Sequence, residues 1–283
     1  MEAWRTWSRE RLEREYSPSS RVESIEPFVR AYAERSRAVL QTLRVRRDIR
    51  YGPGPDELLD LVPAAPDAPL VVFFHGGYWQ ELGKADSLFP APALVEAGIA
   101  YAAVEHTLAP RASLDGIVDQ VRRSVAFLAG NAERLGFDGR RIHLVGHSAG
   151  AQLAAMVMLA GESGARGGGV LVSGVYDLEP LIETYVNDAL DLDEAAALRN
   201  SPLRAPGAPA GPAVICWGEI EPSEFARQGR ALAARWGSAG TPVDAFEVPG
   251  RNHFDLLFDL GDPTTRLGSA LREQVRKGGR TAG

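Results

Sequence analysis

The chain has 283 residues, 45% hydrophobic and 24% charged, with a formal net charge of −6. That length suits one large domain or two small ones, and the acidic balance argues against a nucleic-acid partner, which needs a basic face. No apolar run approaches the length of a membrane span, so neither a nucleic-acid nor a membrane partner is expected.

The opening MEAWRTWSRERLEREY carries charge throughout and lacks the apolar centre of a secretory signal. The single cysteine, Cys216, cannot form an internal disulfide and lies in the apolar run AVICW. Both features fit a reducing cytoplasm. Between Glu23 and Leu43, apolar residues at Ile25, Phe28, Val29, Tyr32, Val39 and Leu40 predict a helix. Residues 1–42 are therefore expected to form a helical N-terminal extension to a domain spanning 43–283.

VRRDIRY and ELLDLV predict two strands parted by the turn cluster GPGPD, with the arginines at 44, 46, 47 and 50 on a solvated edge. LVVFF (70–74) is apolar at every position, as a strand buried on both faces must be. The helix LFPAPALVEAG, the strand IAYAAVEH, a helix from Ser113 to Leu135 and the strand RIHLVG follow. Next come the helix AGAQLAAMVML, the strand GGVLVSG, an irregular segment 178–211 and the strand PAVICWG. The helix EFARQGRALAARWG, the strand PVDAFEV and the helix FDLLFDLG with its continuation follow. Such alternation predicts an α/β fold, a mainly parallel sheet with helices on both faces.

Gly146-His147-Ser148-Ala149-Gly150 fits G-x-S-x-G and falls between a strand and a helix, where a sharp turn lifts the serine clear of the sheet. A glycine-bounded turn whose serine merely caps the helix is the plainer reading. A serine hydroxyl needs a base oriented by a third group, and in this arrangement the order is serine, acid, histidine. His253 is the one histidine C-terminal to Ser148. The acid should follow a strand between them; Glu221, just after PAVICWG, is favoured, with Glu219 and Asp177 as rivals. His143 and His147 imitate a zinc pair, but four residues along a strand span roughly 13 Å, and no metal is expected. His106 reads as a structural hydrogen-bonding group.

HGGYWQ (75–80) ends the buried strand LVVFF with two glycines. Attack on a carbonyl places negative charge on its oxygen, and preorganised backbone N–H groups stabilise that charge. Gly77 and Tyr78 are the expected donors from this loop, and Ala149 is the one that follows the nucleophile. Gly76 lets the loop bend, and His75 braces it. Trp79 is a candidate wall of the substrate pocket, as are Tyr185 and Asn187 in a candidate lid, residues 179–211.

HGGYWQ, GHSAGAQL, SGVYDLEPL, the SPL at 201–203, EFARQ and NHFDLL together resemble the arylformamidase (kynurenine formamidase) family of α/β-hydrolases. The resemblance runs from about Tyr51 to about Phe258. It implies an α/β-hydrolase fold and hydrolysis of a small-molecule substrate, N-formyl-L-kynurenine, to formate and kynurenine, with no cofactor. It also implies Ser148 as nucleophile, His253 as base and Glu221 as acid, and it is compatible with a homodimer. The family carries aspartate at the position of Glu221; the extra methylene here changes the reach to His253. A carboxylesterase acting on small aryl or alkyl esters would use the same machinery.

Overall fold

LVVFF is apolar throughout because the strand it forms lies inside the sheet and feeds two separate cores. In the computed structural model, which describes residues 3–161 and 167–277, this strand is β3 (Ala68–Phe74). It sends Leu70, Val72 and Phe74 into one core and Val71 and Phe73 into the other, the two-residue alternation of a pleated strand. The other strands are β1 (Arg46–Arg50), β2 (Leu58–Val62), β4 (Ala100–Val104), β5 (Phe137–His147), β6 (Gly169–Val172), β7 (Ala213–Ile220) and β8 (Val243–Asn252).

They form one sheet in the order β1-β2-β4-β3-β5-β6-β7-β8. β1 and β2 run antiparallel, β2 meets β4 antiparallel, and every pairing from β4 through β3 to β8 is parallel. The helices are α1 (Arg9–Glu15), α2 (Glu26–Thr42), α3 (Ala91–Glu96), α4 (Leu114–Gly130), α5 (Ala132–Leu135), α6 (Ala149–Ala160), α7 (Asn187–Leu190), α8 (Glu194–Arg199), α9 (Ser223–Ser238) and α10 (Arg266–Lys277). On one face, Ile117 and Val121 of α4, Leu153 and Val157 of α6, and Leu232 and Trp236 of α9 pack on the sheet. On the other, Tyr32 and Val39 of α2, Leu94 of α3 and Leu271 of α10 do so. Among the described residues, no helix is long and apolar enough to cross a membrane.

Several elements differ from expectation for local reasons. The helix expected from Ser113 to Leu135 breaks at Asn131, whose φ of −120° and ψ of 15° leave the helical basin. Its amide side chain donates to the Phe127 carbonyl at 2.8 Å, competing with the helical ladder. FDLLFDLG forms a 3-10 helix, Asp255–Gly261, and α10 begins only at Arg266. The segment 178–211 holds a 3-10 turn, Glu179–Glu183, and the short helices α7 and α8. Residues 1–42, read from the sequence as an extension, give Trp4, Leu12 and Tyr16 to the first core and Tyr32 and Val39 to the second.

One charged contact crosses the antiparallel edge. Lys84, in a 3-10 turn (Lys84–Asp86), places Nζ 2.8 Å from both Asp60 of β2 and Asp48 of β1. Asp60 is buried and also accepts the Asp48 backbone N–H at 2.8 Å, where β1 bulges between Arg46 and Ile49. Removing one partner of a buried pair strands the other charge. Lys84→Met is accordingly expected to cost about 3 kcal/mol, read as a fall of several degrees in Tm.

Candidate active site

β5 ends at His147 and α6 begins at Ala149, so Ser148 alone makes the turn, with φ 55° and ψ −121°. Such a backbone costs a non-glycine residue about 1–3 kcal/mol and persists only where the surroundings impose it. They do so through close packing. A Cβ on Gly146 would stand 2.1 Å from the Gly150 carbonyl oxygen, and one on Gly150 would stand 2.0 Å from that of Phe74. Both outer glycines of the motif are therefore sites of backbone approach, where α6 meets the ends of β5 and β3. The Ser148 N–H donates to the Val172 carbonyl at 2.8 Å, fastening the turn to β6.

His253 follows β8 and is buried, with Nδ1 3.1 Å from Oε2 of Glu221. The other carboxylate oxygen of Glu221 accepts from Ser173 Oγ at 2.5 Å and from the Gly218 N–H at 2.6 Å. Two donors on one oxygen leave the second oxygen to the imidazole. The longer glutamate side chain thus reaches His253 while folded back on the end of its own strand. The two rival carboxylates are engaged elsewhere: Glu219 accepts the Gly250 N–H at 2.7 Å, and Asp177 pairs with Arg204 at 2.8 Å.

The His253 ring is held on several sides. Phe225 and Phe254 meet it edge-on at centroid distances of 4.8 and 5.3 Å, and the His147 ring lies at 4.7 Å. His147 Nε2 donates to the His253 carbonyl at 2.8 Å. Burial, followed by the neighbouring His253, pushes His147 down to about 3. It therefore stays neutral in the working pH range and acts as a fixed donor.

The loop after β3 bends sharply. Gly77, Tyr78 and Trp79 all have positive φ, at 93°, 48° and 61°. A Cβ on Gly77 would come within 2.3 Å of the Glu81 carbonyl oxygen, and one on Gly76 would sit 3.1 Å from the Ser148 Cβ. Among the described residues, nothing accepts the backbone N–H of Gly77, Tyr78 or Ala149. His75 lies beneath this loop, with Nδ1 donating to the Gly76 carbonyl at 2.9 Å and Nε2 3.4 Å from Glu105. Its ring stacks on His106 at 4.5 Å. Burial, and then His75, pushes His106 well below its ordinary value.

Ser148 and His253 open into a common pocket of about 220 Å³ with Gly77 and Tyr78. Tyr185 and Phe254 supply aromatic wall, and Gln80 and Glu81 supply polar wall. Pro18, Ser19 and Ile25 close another side. Nothing in the sequence marks these three as site residues, since they carry no motif and their role depends on where the N-terminal segment docks.

Two expected pocket residues lie elsewhere. Trp79 is fully buried in the first core, its indole N–H donating to Gln152 of α6 at 3.1 Å. A large ring with one satisfied donor gains more from burial than from an open wall, so Trp79 anchors the loop to α6. Asn187 closes the turn around α7, accepting the Leu192 N–H at 2.7 Å and donating to the Leu192 carbonyl at 3.1 Å. Its amide is used up by the backbone. Tyr185 does line the pocket and accepts a hydrogen bond from Ser17 at 2.9 Å.

The BD-FAE family profile matches residues 60–187. Over 98% of its length the chain is 36% identical to the whole of a kynurenine formamidase from Danio rerio. It is 35% identical, again over 98% of its length, to the whole of a kynurenine formamidase from Salmo salar. A solved candidate thioesterase from Silicibacter sp. tm1040 is similar with a TM-score of 0.83 at 26% identity, covering 92% of this chain and 98% of that one. A thermostable carboxylesterase cloned from a metagenomic library, at 21% identity and a TM-score of 0.71 over 90% of this chain and 96% of that one, shares the fold. With that identity sustained over nearly its full length, the chain belongs to the kynurenine formamidase family of α/β-hydrolases.

Proposed function

We propose that this chain hydrolyses the formamide of N-formyl-L-kynurenine through a formyl-serine on Ser148, releasing kynurenine and formate. The observation that carries the reading is the Glu221–His253 hydrogen bond beside a strained Ser148 on one pocket, in a chain so similar to kynurenine formamidases. His253 takes the Ser148 proton on Nε2 as Oγ bonds to the formyl carbon. Glu221 holds the Nδ1 proton and stabilises the imidazolium. The developing oxyanion is stabilised by the N–H groups of Gly77, Tyr78 and Ala149. The imidazolium then protonates the aniline nitrogen as the C–N bond breaks. Water, deprotonated by His253, attacks the formyl-serine, and formate leaves as the proton returns to Oγ.

A formyl group needs little room, so the pocket volume falls to the aryl and amino-acid portion, against Tyr78, Tyr185 and Phe254. The buried lone thiol of Cys216 supports a reducing cytoplasmic location. The small-molecule substrate is the one partner the reading requires, and a homodimer is compatible with it. The second reading, a carboxylesterase acting on small esters, draws on the same residues and differs only in the pocket walls.

The deciding measurement is kcat/KM on N-formyl-L-kynurenine beside p-nitrophenyl acetate. Strong preference for the formamide is expected; fast ester cleavage with negligible deformylation would move the chain to the esterase reading. Ser148→Ala should lower kcat by several orders of magnitude, and turnover within about tenfold of wild type would overturn the mechanism. Glu221→Gln should lower kcat by on the order of 10³-fold or more, because the amide cannot hold the required tautomer. Ser173→Ala, which removes one of the two donors to Glu221 Oε1, should cost about tenfold with the KM little changed, as steady-state kinetics will show.

A further inference from the structure

The turn that ends α1 touches three parts of the site at once. The Tyr78 hydroxyl donates to the Tyr16 carbonyl, joining this turn to the loop that carries the Gly77 and Tyr78 amides. The Tyr16 hydroxyl donates to Glu224 Oε2 at 2.6 Å and accepts from Gln228 Nε2 at 3.0 Å, joining it to the first turns of α9. Ser17 donates to Tyr185 of the candidate lid at 2.9 Å. Glu15 accepts both the N–H and the hydroxyl of Ser223, at 2.9 and 2.8 Å, and so caps the N-terminus of α9 with a negative charge. Ser223 stands two residues beyond Glu221.

The centre of this network, Tyr16 with Glu224 and Gln228, is buried. Tyr16 is 1% exposed and Glu224 2% exposed. Arg227 grips Glu224 through two bonds of 2.6 and 2.7 Å. Burial, and then the Glu224 carboxylate, hold the Tyr16 hydroxyl well above its ordinary value, so it remains a proton donor. Gln228 continues the network by accepting the N–H groups of Tyr176 and Asp177 at 2.6 and 2.8 Å. The two ends of the network are the oxyanion loop and the acid-bearing turn, which share no strand and lie on opposite sides of Ser148 in the sheet order.

We propose that the turn Glu15–Ser17 is a positioning element of the active site, with Tyr16 as the pin that clasps the oxyanion loop to the acid-bearing turn. Tyr16 does not touch the reacting atoms; it acts through Tyr78 on one side and through Glu224 on the other. Both half-reactions pass through an oxyanion and both use Glu221, so the clasp sets kcat for any acyl substrate. Transition-state geometry is sensitive to small displacements of such groups. The proposal rests on the triad and oxyanion roles given above but not on the formamide as substrate.

The test compares Tyr16→Phe, Tyr78→Phe and the double variant in the full chain, on N-formyl-L-kynurenine and on p-nitrophenyl acetate. Rates are normalised to the serine labelled by a fluorophosphonate probe. Leu135→Ala, a buried truncation at the opposite end of β5, serves as a destabilised control. Each single variant is expected to lose about tenfold in kcat on every substrate the wild type turns over, with KM within twofold. The double variant should fall no more than about twofold below the worse single one, because both changes open one clasp. Leu135→Ala should lower Tm and leave kcat per labelled serine unchanged. Wild-type kcat in both single variants, or losses that multiply in the double variant, would overturn the clasp. Should Tyr16→Phe fail to fold, Tyr78→Phe decides alone: kcat within twofold of wild type on the ester refutes the proposal. A wild type that cleaves only the ester refutes the formamidase reading and leaves this test intact.

Discussion

The close approach of α6 to the ends of β3 and β5 is the constraint on which the site depends. Gly146 and Gly150 permit it, and every other residue would set a Cβ within about 2 Å of a carbonyl oxygen. Ser148 is forced into its strained turn by that contact and presents its side chain to the pocket. The strain is offset by the paired strands and by the bond from the Ser148 N–H to β6. The same contact brings the glycine loop after β3 beside the serine, with Gly76 packed against the Ser148 Cβ. Serine and glycine loop are placed by a single packing contact.

Glu221 and His253 are organised differently, by hydrogen bonds at the ends of β7 and β8. Glu221 is fixed through one oxygen by Ser173 and Gly218, so its other oxygen has one partner available. His147 contributes the fixed bond to the His253 carbonyl, because burial keeps its ring uncharged. The histidine inside the G-x-S-x-G motif is thus a structural donor to the histidine outside it. The groups that fix Glu221 and His253, on Ser173, Gly218 and His147, lie outside the pocket lining, which leaves the rest of the wall free to differ between a formamidase and an esterase.

Much of this was legible in the sequence because it is local. The parallel sheet follows from apolar runs such as LVVFF, and the nucleophile turn from glycines at fixed offsets about Ser148. Glu221 could be favoured from its place after a strand, but choosing it over Glu219 needed the path of the chain beyond β7, which buries Glu221 against His253 and leaves Glu219 exposed. Trp79 and Asn187 were misread because a large aromatic or an amide in a loop looks the same whether it faces a cavity, fills the core or closes a turn. Pro18, Ser19 and Ile25 left no trace. Their place in the pocket comes from tertiary docking, and a short segment without periodicity or motif cannot announce its destination.

The bond from Tyr16 to Glu224 joins residues 208 positions apart. Contacts so distant in sequence are costly to make, because the entropy of closing the intervening loop is lost before the contact returns anything. Seven of the eight strands lie in sequence between the two segments that this bond joins. The Ser148 turn itself leans on backbone distant in sequence, at Phe74 and Val172. Residues that precede the sheet thus belong to the pocket: losing the segment up to Ile25 would strip Pro18, Ser19 and Ile25 from its wall and leave Ser148, Glu221 and His253 intact.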